Sequence, residues 1–305
     1  MSNQNSIVVM YGLTPCHAGS GSAMGVVDLP IQRERHTNWP VIQASGVKGA
    51  FRANFEKFRN RIPENDKSKI NDFENITKSI FGSSDDTGYA GSFSISDAKI
   101  LAYPMRSNIS PFVWITCPAV LKRLIKDLKF IGRPTPTFDW KNVELELNKN
   151  ISFVLSKNNN KDLLFEDDKG VLLEDYQVSI NKNNDPVSGL TEIILKYLEK
   201  AERLLLVSDE IFNYGVTDCT QVSAKISIDP KTGTTVDASL RYQEELPSDT
   251  IMYSVICWGD SKNTVEENLK AETIKKFICE EVIANYIQIA GDETLGRGIF
   301  ELSWM

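Results

Sequence analysis

A set of apolar residues at helical spacing begins at Val47 and constrains the fold of this chain more than any other feature. These residues lie at i, i+4, i+8, i+11 and i+15, which places them on one side of an α-helix. They are Val47, Phe51, Phe55, Phe58 and Ile62. Basic residues such as Lys48 and Arg52 fall on another side, so the sequence predicts an amphipathic helix.

The start of this helix favours the binding of an anion. Ser45 is predicted to cap the helix, while Gly46 and Gly49 allow backbone N–H groups to come close to a ligand. The helix dipole adds to the charge of Lys48, so we expect a phosphate here. An ordinary glycine-containing turn before an amphipathic helix would give the same pattern. The segment is not a P-loop, because its spacing and its Lys-Ser/Thr pair are missing.

The loop that precedes the helix is too polar and too rich in glycine and serine to be core packing. It begins at His17 and contains Asp28, Arg33 and Arg35. Residues 31–61 hold seven Lys/Arg against two Glu, although the whole chain has a net charge of −7. Local basic charge is typical of a nucleic-acid footprint. The acidic total argues against a protein that coats nucleic acid non-specifically.

The composition is that of an ordinary globular protein. The chain has 305 residues, of which 41% are hydrophobic and 25% are charged, enough for one large or two small domains. Its five cysteines are scattered, which indicates neither a disulfide framework nor a thiolate metal site. No apolar run reaches membrane-spanning length and the first residues lack a signal pattern, so we expect a cytoplasmic protein without membrane contact.

Two polar stretches are predicted to be insertions. Residues 63–91 indicate a surface insertion around one short helix that ends near Phe81. Residues 132–189 contain short strands between Asn-, Asp- and Lys-rich connectors, and no function is assigned to them. Helices are predicted from Pro118, over 190–206 and over 264–289. The predicted strands are residues 6–13, 93–95, 100–103, 111–116, 151–155, 171–180, 250–256 and 299–304.

A β-hairpin is predicted within residues 208–247. Alternating apolar residues flank turn-forming residues at 229–233, and the hairpin is long for the core it could bury, so we expect it to project. Its second strand ends in the sequence Tyr-Gln-Glu-Glu at 242–245. Adjacent carboxylates at a strand end are often a solvated corner. They are also candidate catalytic or metal-binding partners of Asp28.

A glycine-rich turn at residues 290–298 carries Arg297 between two glycines. Such a loop between a buried helix and a buried strand is unfavourable unless its backbone must approach a partner closely. We expect that partner to be a phosphodiester backbone.

Taken in order, these segments resemble the RAMP superfamily, and within it the backbone subunit of the type III-B CRISPR effector, the Cmr complex. The resemblance rests on the first strand, Asp28 eleven residues after His17, and residues 45–52, 208–210, 246–250 and 291–298. The glycine-rich loop alone would indicate only the superfamily, and the combination is more specific. The resemblance covers most of the chain and is weakest over residues 132–189.

The resemblance implies an α+β fold formed by one RAMP domain over residues 1–305. This fold has a ferredoxin-like, RRM-type palm, a projecting β-hairpin thumb and inserted segments. It also implies that several copies stack along a CRISPR RNA with other Cmr-type subunits. Thumbs would then interrupt the duplex with a complementary target RNA at regular intervals, where the same subunit cuts the target.

Asp28 is the residue that the resemblance implies is most needed for cleavage. The other groups near the cut are His17, Tyr242, Glu244 and Glu245. Because Gln243 stands where a Glu was expected, the carboxylate that assists Asp28 stays open. The residues expected to hold the guide through phosphates and 2′-hydroxyls are Ser45, Gly46, Lys48, Gly49, Arg52, Arg33, Arg35, Gly291, Gly296, Arg297 and Gly298.

The expected chemistry uses the 2′-OH of the RNA as nucleophile, aligned with the phosphorus and the leaving 5′ oxygen. Asp28 is a candidate proton acceptor or ligand of a divalent ion, and a single Asp predicts loosely bound Mg²⁺ or Mn²⁺. His17 is either a general acid or base or a structural histidine that hydrogen-bonds the Gly-Ser loop.

Three other functions stay open at this point. The chain could be a structural backbone subunit whose target is cut elsewhere, or the type III-A counterpart. It could also be a stand-alone guide-processing endonuclease, which would need a His-centred site although only two histidines are present.

Overall fold

The computed structural model describes residues 5–22, 26–61, 64–65, 67–83, 88, 90–155, 170–181, 187–262 and 269–305. The helices in these ranges are α1 (Ala44–Phe58), α2 (Lys67–Phe81), α3 (Pro118–Phe130), α4 (Trp140–Leu147), α5 (Ser188–Ile194), α6 (Asp209–Asp218) and α7 (Ala271–Lys276). The strands are β1 (Asn5–Gly12), β2 (Val41–Ile42), β3 (Phe93–Ile95), β4 (Ala98–Arg106), β5 (Phe112–Thr116), β6 (Ile151–Leu155), β7 (Val171–Leu173), β8 (Tyr176–Asn181), β9 (Leu204–Leu206), β10 (Gln221–Lys225), β11 (Arg241–Glu245), β12 (Ile251–Trp258), β13 (Tyr286–Gln288) and β14 (Ile299–Trp304).

Twelve of the strands form one large sheet. Its order is β13-β14-β1-β12-β4-β5-β9-β6-β8-β7, with β2 paired to β4 and β3 paired to β12. The pairs are antiparallel except β5 with β9 and β6 with β8. The predicted α+β class is therefore confirmed, with a mostly antiparallel sheet.

Helices cover both faces of this sheet, and β1 shows why. Neighbouring side chains of a strand point to opposite faces. Ile7 and Val9 join the core that contains α3 and α6, whereas Val8 and Met10 join the core that contains α1. A strand that is apolar on both faces needs a cover on both, so the sheet lies in the middle of the molecule.

Helix α1 follows the apolar spacing of its sequence. Val47, Phe51 and Phe55 are buried, and the ring of Phe55 stacks on that of Phe73 from α2 at 4.9 Å. Phe58 is partly buried, and Ile62 lies outside the described residues. The predicted amphipathic helix is confirmed, as is the end of α2 at Phe81.

Two predicted helices are wrong in their second halves. Over 190–206, α5 ends at Ile194, a 3-10 turn follows, and Leu204–Leu206 is strand β9, because three consecutive leucines have no period that separates helix from strand. Over 264–289, α7 leads into a π-helical turn, Phe277–Val282, and Tyr286 begins β13. Residues 263–268 lie outside the described part.

The segment 132–189 extends the main sheet. Its strands β6, β7 and β8 continue the sheet beyond β9, and its buried residues belong to the core of α3 and α6. Helix α4 within this segment was missed by sequence reasoning. Its signal was Asp139, whose side chain accepts the N–H of Lys141 at 3.0 Å as an N-cap.

Strands β10 and β11 form a separate two-stranded sheet, so the predicted hairpin is confirmed. At its turn, the N–H of Gly233 donates to the carbonyl of Asp229 at 2.8 Å. Five apolar side chains of this hairpin are 45–52% exposed. These side chains, called the apolar arm below, are Val222, Ile226, Ile228, Val236 and Leu240.

None of the helices in the described ranges has both the length and the apolar character needed to cross a bilayer.

Candidate nucleic-acid interface and cleavage site

Asp28 lies beside strand β11 because its neighbour pairs with that strand. The N–H of Leu29 donates to the carbonyl of Tyr242 at 3.0 Å, and the carbonyl of Leu29 accepts the N–H of Glu244 at 3.0 Å. Asp28 Oδ2 accepts the N–H of Tyr242 at 2.7 Å. The side chain of Asp28 is half-buried and that of Tyr242 is 43% exposed. The carboxylate is therefore fixed by backbone through Oδ2, and Oδ1 has no hydrogen-bond partner among the residues that the structure describes.

Glu244 is a buried member of an ion pair. Its Oε1 is 2.5 Å from Arg33 Nη2 and accepts the hydroxyl of Thr220 at 2.7 Å, while Oε2 accepts the N–H of Ile31 at 3.0 Å. Burial alone would raise the pKa of Glu244, but these hydrogen bonds outweigh burial and hold its pKa below the ordinary value. Glu244 is therefore an anion held by an ion pair and by hydrogen bonds.

Glu245 is fully buried and joins the hairpin to the glycine-rich loop. Its Oε1 is 3.4 Å from Lys225 Nζ and 3.6 Å from Arg297 Nε, and its Oε2 accepts the hydroxyl of Ser223 at 3.2 Å. Glu244 and Glu245 are 7% and 0% exposed, so the interpretation as a solvated corner is wrong. The charged base, as we call it below, consists of Arg33, Lys225, Glu244, Glu245 and Arg297.

His17 is also tied to the hairpin. Its Nδ1 is 2.7 Å from the carbonyl oxygen of Glu244. Because a carbonyl oxygen only accepts, Nδ1 carries the proton and Nε2 is the acceptor of the neutral ring. A Cβ on Gly19 would lie 2.7 Å from Nε2, so the ring needs glycine at that position. The partner of His17 is therefore Glu244 rather than the Gly-Ser loop.

The two sides of α1 line different grooves. A groove of about 420 Å³ is lined by His17, Gly46, Gly49 and Gly291, together with several alanines, Ile42 and two glutamines. A Cβ on Gly49 would meet nothing within 4 Å, so this side of α1 is open to a ligand. The structure thus brings together Gly46, Gly49 and Gly291 of the glycines assigned to guide binding, whereas Gly296 and Gly298 do not line this groove.

Lys48 lies on the other side of α1, in a groove of about 510 Å³ that Ser45 and Lys262 also line. Lys48 Nζ donates to the carbonyl of Phe93 at 3.2 Å and lies 5.0 Å above that ring. Burial, followed by the charge of Lys262, lowers the pKa of Lys48. The structure therefore separates Lys48 from the glycines that precede and follow it.

The predicted helix cap is wrong. Helix α1 begins at Ala44, so Ser45 lies inside it, and Gln43 at the N-cap makes no side-chain cap. The N–H of Ala44 donates to Asp97 Oδ1 at 2.7 Å. A carboxylate of the protein therefore already occupies part of the helix terminus where we expected a phosphate. Arg52 lies further along and bonds Glu56 at 2.9 Å.

The glycine-rich loop connects β13 and β14 rather than a helix and a strand. A Cβ on Gly298 would lie 2.0 Å from the carbonyl oxygen of Ile289, so this glycine is required by the protein's own backbone. Gly296 has φ +71° with open space around it. Ala290 also has a positive φ, of +76°. The close approach that we assigned to a phosphodiester is, at Gly298, an approach to Ile289.

A third groove, of about 410 Å³, separates the hairpin from this loop. Leu29, Lys225, Arg241 and Asp292 are among its lining residues. Asp292 Oδ2 accepts Gln243 Nε2 at 2.6 Å, which joins loop and hairpin. Sequence reasoning missed Lys225, Arg241, Asp292 and Thr220, although Lys225 and Arg241 lie in the predicted hairpin, where they face each other across its two strands.

The donor set at Asp28 fits a hydrated ion with one protein ligand and does not fit a resident metal. Within the ranges that the structure describes, no group of three or more His, Cys, Asp or Glu side chains is placed to hold a metal ion. Glu244 and Glu245 are already paired with Arg33, Lys225 and Arg297.

The comparison with known families decides the identity of this fold. Residues 9–301 match the model of the RAMP superfamily. The chain belongs to the RAMP superfamily. A RAMP relative from Pyrococcus furiosus, the CRISPR system Cmr endoribonuclease Cmr4, is 32% identical over 309 residues, covering 97% of this chain and 94% of the relative.

Two solved structures share this architecture. The crystal structure of oligomeric Cmr4 from Pyrococcus furiosus has a TM-score of 0.65 at 25% identity and covers 98% of this chain and 97% of that chain. The cryo-EM structure of type III-B Cmr-beta bound to cognate target RNA has a TM-score of 0.70 at 22% identity, covering 98% and 96%. This second structure shows only that the fold is shared.

Proposed function

We propose that this chain is the backbone subunit of a type III-B CRISPR ribonucleoprotein. It binds CRISPR RNA in several copies beside other Cmr-type subunits and cleaves complementary target RNA at regular intervals in the cytoplasm. Membership of the superfamily and the relative named as a Cmr endoribonuclease support this function. The observation that carries it is Asp28, held by the backbone of β11 where the projecting hairpin leaves the body.

We assign the guide to the glycine-lined groove between α1 and the loop at 290–298. Its lining of Gly46, Gly49 and Gly291 lets a sugar–phosphate backbone come close without reading bases. The antiparallel strands β14, β1, β12 and β4, covered by α1, would be the ferredoxin-like palm. Arg35, which is exposed, is free to contact RNA as predicted.

We assign the target to the groove between the hairpin and the loop, next to Asp28. Lys225 and Arg241 would hold its phosphates there, and the hairpin would be the thumb that turns one nucleotide out of the duplex. A 2′-OH of that nucleotide would then lie near Oδ1 of Asp28, which accepts its proton as the oxygen attacks phosphorus and the bond from phosphorus to the leaving 5′ oxygen breaks. His17 lines the neighbouring glycine-lined groove.

Asp28 is the residue that would hold a loosely bound Mg²⁺ or Mn²⁺. Such an ion supplies charge neutralisation at the phosphate. Asp28 itself is oriented by the N–H of Tyr242, whether or not an ion is bound.

The test is to assemble the complex on a guide, add labelled complementary RNA with Mg²⁺, and compare wild type with Asp28→Ala on a sequencing gel. We expect evenly spaced products with a cyclic or 3′ phosphate and a 5′ hydroxyl, absent in the variant although target binding is unchanged. Products that survive the substitution would leave this chain as a non-catalytic scaffold. A 3′ hydroxyl and a 5′ phosphate would mean that water attacks.

A further inference from the structure

We propose that Arg33 is a positioning residue, which orients Asp28 through Glu244 and does not act as an RNA contact. This inference rests on the proposed function and assigns a role in the same site. The sequence placed Arg33 among the guide-binding residues because it lies in a basic, polar loop. The structure gives its guanidinium a different set of partners.

The guanidinium of Arg33 is used inside the protein. Nη2 lies 2.5 Å from Glu244 Oε1, while Nη1 donates to the carbonyl oxygens of Asn38 at 2.8 Å and Val216 at 2.9 Å. These partners belong to β11, to the turn before β2 and to α6. The side chain is 15% exposed. One planar group with fixed N–H directions therefore joins three segments of the chain.

The direction of Arg33 follows from its position in an extended segment. Side chains two residues apart lie on the same face of such a segment. Ile31 is 2% exposed, so Arg33 shares its inward face, while Gln32 turns to the other side and donates to the carbonyl of Gly19 at 3.1 Å. The side chain of Arg33 therefore points inward because it lies two residues after the buried Ile31.

Glu244 transmits this anchor to Asp28. The same carboxylate binds Arg33 with Oε1 and the N–H of Ile31 with Oε2 at 3.0 Å. Two residues before Ile31, Leu29 makes backbone hydrogen bonds to β11 on both sides of Gln243. The side chain of Asp28 then accepts the N–H of Tyr242. Residues 28–33 are therefore held along β11 by consecutive bonds that end at Arg33.

The two possible roles of Arg33 predict different changes in kinetics. An RNA contact would lower affinity for guide or target and leave the rate of bound target unchanged. A positioning residue would lower the rate of cleavage of bound target, because a misplaced carboxylate loses alignment, and would leave affinity unchanged.

The experiment measures target affinity and single-turnover cleavage in the assembled complex for Arg33→Met, Glu244→Gln and the double variant. We expect each single variant to cleave bound target about tenfold more slowly, with affinity within about twofold of wild type. The double variant should be no slower than Arg33→Met, since both changes break the same link. Arg106→Met, which removes a guanidinium that is 75% exposed and pairs with Glu174, is the matched control and should cleave at the wild-type rate.

Two further variants keep the test informative if Arg33→Met fails to assemble. Thr220→Val removes one hydrogen bond to Glu244 without removing charge, and should slow cleavage about threefold at unchanged affinity. Arg33→Lys keeps the charge but loses the planar fork, and should recover part of the rate. Amide hydrogen exchange over residues 26–32 should rise in the same order as the rate falls.

Lower affinity with a normal rate for Arg33→Met would make Arg33 an RNA contact and overturn the inference. So would full activity of Thr220→Val and Glu244→Gln. The proposed function itself fails if the wild type does not cleave or if Asp28→Asn cleaves normally. That outcome is distinct from a failure of the Arg33 inference, which the variants at Arg33, Glu244 and Thr220 test.

Discussion

The charged base and the apolar arm of the hairpin differ in an unusual way, because the base buries charged side chains and the arm exposes apolar ones. In the base, Glu244 and Glu245 are buried and each contacts a cation from a distant segment. In the arm, five apolar side chains are about half exposed. Buried charges need fixed partners, so the base joins the hairpin to the Asp28 loop and to the glycine-rich loop. Exposed apolar groups add nothing to their own core, so the arm is available to a partner.

The largest effect should come from the glycine-rich loop that supports the base. Gly298→Ala places a Cβ on the carbonyl of Ile289 in a backbone with φ +69°, and should lower the free energy of unfolding by about 3 kcal/mol. Gly296→Ala, at φ +71° with open space, is the matched control and should cost about 1 kcal/mol. Urea denaturation measures both, and equal losses would show that the contact with Ile289 does not matter.

A smaller effect should follow from removing one buried charge of the base. Glu245→Gln leaves Lys225 and Arg297 without their shared anion and should lower the free energy of unfolding by about 2 kcal/mol. Glu301→Gln breaks the more exposed pair with Lys200, and should cost less than about 0.5 kcal/mol. If the two variants unfold at the same urea concentration, the base is not held by its ion pairs.

The ion pair of Glu244 should also make stability depend on pH. Its pKa is lowered in the folded protein, so its contribution is fully present above the ordinary value of 4.5 and is lost as pH falls through the folded-state pKa. The difference in unfolding free energy between wild type and Glu244→Gln should be constant from pH 7 to about pH 5 and shrink below. A difference that grows on acidification would contradict the direction of the shift.

The smallest effect on stability should come from the apolar arm. Ile226→Thr with Ile228→Thr should change the free energy of unfolding of the isolated chain by less than about 0.5 kcal/mol, because both side chains are already half exposed. Ile256→Thr, fully buried in β12, should cost about 2 kcal/mol. A large loss in the arm variant would mean that the arm packs on the body.

Sequence periodicity predicted the elements whose apolar residues face one core. Val47, Phe51 and Phe55 repeat at helical spacing because only one side of α1 is buried. Periodicity failed where burial surrounds the chain, as at the three leucines of β9. It also failed after Val282, where the chain turns into β13 although its apolar residues continue at helical spacing.

Site residues were predicted by type, and their orientation was not. Asp28 was predicted because its spacing from His17 matches a family pattern, and its role stays a prediction. Lys48 and its neighbouring glycines were grouped by proximity, yet a helix turns neighbouring side chains by 100° each, which places them in different grooves. The burial of Glu244 could not be foreseen, because Arg33 lies 211 residues away in the sequence.

The most direct test of the account is single-turnover cleavage of bound complementary RNA by the assembled complex with Asp28→Asn. Asparagine can still accept the N–H of Tyr242, so the hairpin base stays in place while the negative charge is lost. The account predicts cleavage slower by at least about 100-fold with unchanged guide and target binding. Cleavage within about twofold of wild type would contradict it and move the chemistry away from Asp28.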